Sequence, residues 1–594
     1  MSISRNLNAV ILILALGIYV QSVTNGQQKY HTHAEMTDDI QRLISKHKEI
    51  AKLESIGKTL QRRDIWAVTI GGKHAEEHHA LLVTGGAEAN RIIGSELSVK
   101  FIEFLLNNYA RNDSIARLID STTFYVIPRV SPDASEAFFQ KPLYERTFNT
   151  RPTDDDRDGT IDEDGYEDLN GDGIITMMRV KDDRGEWIVH PEDRRIMKKA
   201  DPAKGERGQY RLYSEGVDND KDEQWNEDEP GGVDFNRNFP HNYGFFTRGA
   251  GPHQVSEEET RSVIEFAFAH PNIAAVFSFS SQDNLMNPWK KEPGKNPQPP
   301  SSQPGRRRFS PDEEESQPRF VSSVMDADEE YYAYIAAQYQ KITGLKVAAK
   351  SAKGEGAFCD WAYYQYGRWS FAANPWWVPD TEKKSDTTAA DTSRLKKEGR
   401  TKPEGPEEKP DECADQIKAL RWIDANNIRD GFVNWTRIKH PDFPDNEVEV
   451  GGFRPYILTN PPPDSIEPIS SKENSFLAML AGKLPDISIR NLKVESIDKK
   501  VYRLKADIVN TGYLPSNSAM GAMAEWPRNP KVSLKLSPDQ KLLSGKAVTI
   551  LDPIKGSGGR AEMNWLILAP SGSSVTITAE SPTSGRVSQT ITFE

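Results

Sequence analysis

Two cysteines in 594 residues, Cys359 and Cys413, rule out a disulfide framework. One bridge between them and two idle thiols fit the sequence equally well, so stability outside a cell would have to come from the core and from bound ions. Long apolar runs are also missing. After the first two dozen residues no segment supplies the ~20 apolar residues of a membrane-spanning helix. An excess of basic charge is absent too. The net charge is -13, which argues against nucleic acid as the main partner. Histidine is scarce, with 11 in the chain and none between His270 and His440.

What is present describes a polar protein with room for two or more domains, 37% hydrophobic and 27% charged. Arg5, the apolar run Ala9 to Val20 and the small residues Thr24 and Gly26 read as a signal peptide over residues 1–26, which predicts a secreted or periplasmic protein. Thr37-Asp38-Asp39 reads as the cap of a first helix, followed by a hairpin up to about residue 79. His74-Ala-Glu-Glu77-His78 spells a zinc pattern. That chemistry needs a helix, and the neighbouring Gly71-Gly72 predicts a hairpin loop instead.

The chain is organised around Thr84 to Leu97. An apolar run, Ala80-Leu81-Leu82-Val83, predicts a buried strand. Leu97, Phe101, Phe104 and Leu105 follow at helical spacing. A strand that turns into a helix is a common place for a site in an α/β sheet. The Gly-rich turn and Gly94-Ser95-Glu96-Leu97 resemble the zinc carboxypeptidases, the carboxypeptidase A-like metallopeptidases. The run Gly231 to Pro240, with Asn236-Arg237-Asn238-Phe239, is the most specific match. The resemblance spans residues 27–483 and implies an α/β/α domain with a mixed central sheet.

The resemblance also implies roles for single residues. The family's zinc-binding His-x-x-Glu falls on Glu88 and Arg91, and its third zinc ligand on Ser280. Its general base falls on Asn374 and its mobile Tyr near Ala352. Asn236 and Arg237 take the positions that receive a peptide's C-terminal carboxylate, a task suited to a guanidinium fork. Catalytic zinc needs three N, S or O ligands and an open position. Glu88 offers one oxygen, Arg91 is a fixed cation and Ser280 is a neutral hydroxyl. Without zinc the pKa of water stays near 15.7, and the amide of Asn374 cannot take its proton. In the sharper form of this expectation the Arg91 guanidinium replaces zinc and pairs with Glu88. In the plainer form the two make an exposed ion pair at a helix start, worth ~0–1 kcal/mol.

Residues 149–230 read as an Asp-rich insertion. One loop carries Asp154, Asp156, Asp158 and Asp162. A second carries Asp218, Asp220, Asp222 and Asn226, and Asp168, Asn170 and Asp172 lie between them. Alternating carboxylates gather hard oxygens around one point, as calcium requires, so the expectation is structural calcium in an insertion with little apolar residue of its own. Ser256-x-x-Glu259 reads as a capping box. Residues 291–325 and 380–412 read as flexible loops. From 484 to 594, alternating strands such as Tyr502, Leu504, Ala506 and Ile508 predict a β-sandwich.

The expected function is therefore a secreted pseudo-peptidase that keeps a cleft for peptide or protein C-termini and binds no zinc. Two alternatives stand beside it. One is a working metallocarboxypeptidase with non-standard ligands, and the other is a scaffold that binds a surface polymer or partner through its β-sandwich.

Overall fold

The computed structural model describes residues 29–154, 159–226, 228–292, 321–352, 354–380 and 413–594. The signal segment, Asp156, Asp158 and most of the two expected loops lie outside the described residues.

Six strands form the central sheet, in the order Ala51–Lys58, Asp64–Ile70, Thr123–Ile127, Ala80–Thr84, Ile273–Phe279, Trp369–Ala373. The first two are antiparallel to each other, and Asp64–Ile70 is antiparallel to Thr123–Ile127. The remaining neighbours are parallel. The sheet is mixed and buried on both faces, which is why its parallel strands read as unbroken apolar runs. Leu81 and Val83 face a core built with the helices Ile93–Tyr109, Asp326–Thr343 and Ile466–Ala481. Ala80 and Leu82 face the other side, packed with Val263 and Phe266 of the helix Glu258–Ala269 and with Phe358 and Trp361.

Several local expectations shift. The first helix runs His33–Lys46 and is capped by Thr32, whose hydroxyl and Glu35 form a reciprocal box. Thr37 lies inside it. Residues Ala75–Glu77 form a 3-10 turn, and the strands on either side of it are separated in the sheet by Thr123–Ile127. His74 and His78 therefore sit on a crossover and not on a hairpin. Ser256 does not cap the helix Glu258–Ala269, because its hydroxyl bonds Glu257 and accepts from Asn238.

The insertion builds a second sheet of its own. Met177–Lys181, Trp187–Val189, Met197–Lys199 and Tyr210–Ser214 join Phe432–Ile438 and Val448–Phe453 in a six-stranded antiparallel sheet. Met178, Val180, Val448 and Val450 form a small core there with Trp225 and Phe443. The insertion has few apolar residues of its own, and half of this core, Val448 and Val450, comes from a distant stretch of chain.

The C-terminal domain is a pair of four-stranded antiparallel sheets, consistent with a β-sandwich. Tyr502, Leu504, Ala506 and Ile508 of the strand Val501–Asn510 meet Val575, Ile577 and Ala579 in one core. The domain is fastened to the peptidase-like unit. Buried Asp328 accepts from the backbone N–H groups of Ala519 (2.8 Å) and Met520 (3.2 Å) and from the Tyr363 hydroxyl (2.7 Å). Gly367 and Gly521 meet backbone to backbone; a Cβ on Gly521 would lie 2.3 Å from the Gly367 carbonyl oxygen. Cys359 and Cys413 are both free and buried.

Candidate functional site

The turn after Ala80–Thr84 has no room for side chains at its start. A Cβ on Gly85 would lie 2.5 Å from each of Gly94 O, Pro128 O and Ser98 Oγ, and Gly86 has φ +71. This close packing holds the segment Glu88 to Arg91 at the end of the sheet, just before the helix Ile93–Tyr109. Ser280 and Ser281 follow the strand Ile273–Phe279. That loop is stitched to the last strand by Ser280 N–H on Ala373 O (2.9 Å) and by the Asn284 amide on Ser370 and Ala372. Asn236 and Arg237 lie in a 3-10 turn whose start is capped by the Asp234 carboxylate.

These elements converge on Glu88, which is 8% exposed. Its Oε1 accepts from Asn236 Nδ2 (2.8 Å), Ser280 Oγ (2.7 Å), Ser281 N (3.1 Å) and Ser281 Oγ (2.8 Å). Its Oε2 has no hydrogen-bond partner. Asn236 is fully engaged: Nδ2 also reaches Ser280 Oγ (3.2 Å), and Oδ1 accepts from Phe358 N–H (2.9 Å). It therefore presents no free donor to a carboxylate. Arg237 is half-buried on the same wall and donates Nη2 to Thr247 Oγ1 (3.0 Å).

Arg91 does not pair with Glu88 in either expected form. Its Nη1 reaches Asn374 Oδ1 at 3.3 Å, so the guanidinium lies on the Asn374 amide instead. The physical reason is supply: four neutral donors already crowd the Glu88 oxygen that faces the turn. Asn374 is 1% exposed and its Oδ1 also accepts from Trp376 N–H.

The cleft is about 300 Å³ and is lined by Glu88, Asp234, Asn236, Arg237, Ser281, Gln282, Ala352 and Glu355. Burial, with Glu88 nearby, pushes the Asp234 carboxyl up to about 7. Ala352, near the family's mobile Tyr position, donates its N–H to Ser281 O. Sequence reasoning missed Asp234, Ser281 and Gln282. The first lies two residues before Asn236 and the others directly after Ser280, but nothing in their spacing signals a role.

This donor set does not fit zinc. One carboxylate oxygen is saturated by N–H and O–H donors, the second position is a guanidinium, and the third is a hydroxyl that itself donates. Among the described residues, the group of metal-ligating side chains close enough to hold an ion is Asp218, Asp220 and Asp222, in the insertion.

The acidic loops there share one design. Asp218 accepts from the N–H groups three, four and five residues on, those of Lys221, Asp222 and Glu223. Asp168 does the same with Gly171, Asp172 and Gly173. Asp154 accepts from Gly159, again five residues on. Asn170 Oδ1 and Asp220 Oδ1 each accept from the N–H two residues on. Lys221 and Glu223 hold φ of 70 and 71, where the Asp168 loop has Gly171 and Gly173. The twin of the Asp218 loop is thus the Asp168 loop. Two buried carboxylates hold the pair in place: Asp164 accepts from Asn219 and Asn226 N–H, and Glu215 from Leu169 and Thr176 N–H. Asp162 bonds Gly231 N–H, and Asn226 donates to Ser214 O.

A family model described as zinc carboxypeptidase matches residues 36–182 and 185–376, and the chain belongs to that family. A second model, a domain of unknown function, matches residues 486–592. The chain is 27% identical to carboxypeptidase D of Mus musculus over 133 residues, 22% of this chain and 10% of that protein. It is 29% identical to a zinc carboxypeptidase of Saccharothrix mutabilis subsp. capreolus over 118 residues, 20% of this chain and 27% of that one. The chain thus aligns with a tenth and about a quarter of the two relatives' lengths. The solved structure of thrombin activatable fibrinolysis inhibitor superposes with a TM-score of 0.36 at 14% identity, covering 59% of this chain and 69% of that one. Among the described residues no helix is long and apolar enough to cross a membrane.

Proposed function

We propose that this member of the family is an exported pseudo-peptidase, which binds the C-terminal carboxylate of peptides or proteins through Arg237 and does not hydrolyse them. The observation that carries this reading is the double substitution at the cleft floor: Glu88 Oε1 is filled by four protein donors, and Arg91 lies on Asn374. A metal-activated water would need ligand atoms whose lone pairs are free of protons and hydrogen bonds, and a base beside them. Neither chemistry fits these side chains. Export rests on the N-terminal apolar segment.

Metal analysis of the native protein, with peptidase assays in the presence and absence of chelator, tests this reading. No stoichiometric zinc and no release of C-terminal residues are expected. Hydrolysis that a chelator stops would overturn it in favour of a working carboxypeptidase with non-standard ligands.

A second part of the reading concerns the insertion. Its paired loops are calcium sites of a structural kind, with Asp168, Asn170 and Asp172 in one and Asp218, Asp220 and Asp222 in the other. What supports this is the convergence of three carboxylates in the second loop. In addition, non-glycine residues adopt left-handed backbone there, and such strain persists only when the surroundings hold it.

A further inference from the structure

The cleft contains a negative charge that the protein does not answer. Glu88 is 8% exposed, and its four partners are neutral amide and hydroxyl donors. Its Oε2 is buried and unpartnered, on a residue that lines the cleft. Neither arginine of the site pairs with it: Arg91 donates to Asn374 and Arg237 to Thr247. Asp234 and Glu355 share the same lining, so three carboxyl groups face one guanidinium. A buried carboxylate without a counter-charge is costly, and a ligand that supplies the missing cation recovers that cost on binding.

The chemistry of the missing cation follows from the donor set. A metal would need several ligand atoms within reach of one another, and among the described residues such a group lies in the insertion, at Asp218, Asp220 and Asp222. An ammonium group needs acceptors, and the lining offers the carboxyl groups of Glu88 and Asp234. Arg237 stands next to Asn236, which touches Glu88, so the cation acceptor and the carboxylate clamp lie on adjoining walls.

We propose that the cleft is a zwitterion site: it takes a free amino acid or a dipeptide, whose ammonium group pairs with Glu88 Oε2 while its carboxylate pairs with Arg237. The proposal rests on the reading above, that no zinc occupies this floor and that Arg237 is the carboxylate clamp. A space of about 300 Å³ suits a ligand of one or two residues. It also narrows the partner class, because a long peptide would carry its ammonium group far from the floor.

Calorimetric titration of the full chain with alanine, Ala-Ala, N-acetyl-Ala-Ala and Ala-Ala amide tests it. Ala-Ala or alanine should bind, whichever of the two spans the walls. Blocking either end should weaken binding about tenfold or more, the scale of one charge-assisted contact. In Glu88→Gln the free and N-acetylated dipeptides should bind alike, with the carboxylate preference kept. Equal or tighter binding of the acetylated form by the native protein overturns the zwitterion site and leaves the carboxylate clamp standing. Failure of every ligand with a free carboxylate overturns both.

Discussion

Arg91 Nη1 lies 3.3 Å from Asn374 Oδ1, across the sheet end from the strand that precedes it. The contact joins the turn after Ala80–Thr84 to the segment after Trp369–Ala373 through one hydrogen bond. A cation on one side meets a neutral amide on the other.

Asn374→Glu alone should therefore yield a carboxylate paired to Arg91 and no peptidase activity. Glu88→His, Arg91→Glu and Ser280→His together restore a ligand set of the catalytic zinc type. That triple variant should bind about one zinc per chain. Elemental analysis and a chelator competition would read the difference.

Asn236 bridges Glu88, Ser280 and the Phe358 backbone, all of them buried. Asn236→Ala leaves Phe358 N–H without its acceptor and removes one of four donors to Glu88. A loss of about 1–3 kcal/mol in stability is expected, the cost of unsatisfied buried polar groups. Chemical denaturation measures it.

Calcium should protect the insertion. Added chelator should lower the melting temperature and open residues 149–230 to protease, and added calcium should reverse both effects. Asp218→Asn should weaken the response because Asp218 alone orders three backbone N–H groups of its loop. Unchanged melting with and without chelator would remove calcium from the account.

Three buried carboxyls and the half-buried Asp360 make stability depend on pH. Burial pushes Asp234, Glu259 and Asp360 up to about 7 and Glu473 up to about 8. The folded state holds their protons more tightly than the unfolded chain, whose carboxyls titrate near 4. Their contribution is thus complete below about pH 4 and is lost as the pH climbs through 7 to 8. Glu473 accepts from Tyr339 through Oε1, and its Oε2 has no partner. Glu473→Gln should flatten the fall in melting temperature between about pH 4 and about pH 8, since an amide keeps the bond to Tyr339 and carries no charge.

Asp328 caps the start of a short helix, Ala519–Ala524, from the other domain. Asp328→Ala should cost about 1–3 kcal/mol and loosen the junction, because two buried N–H groups lose their acceptor. Limited proteolysis near residue 484 would report the loosening.

Much of the fold was legible because apolar runs and alternation report burial directly. Ala80 to Val83 reads as a strand buried on both faces, and Tyr502 to Ile508 as one buried on a single face. Pairing across long gaps was not legible. Nothing in Met177–Lys181 says that it will pair with Val448–Phe453, so the insertion looked poorer in core than it is. At the site, the sequence pointed to Glu88, Asn236 and Ser280, which the structure brings together, and to Arg91 and Asn374, which meet each other. The pairing itself was not legible: the choice of Asn374 over Glu88 by Arg91 depends on which oxygens other loops have already filled.

The Gly367–Gly521 contact has an effect on how the polypeptide can be divided. With main chain against main chain, and Trp369 donating to Pro515 O nearby, the C-terminal module is a wall of the first domain's surface. Cutting the gene at residue 484 would bare that wall, so a shortened product would report damage to the cut face as readily as a lost binding role. Point changes on the far face of the module are the cleaner way to ask what it touches.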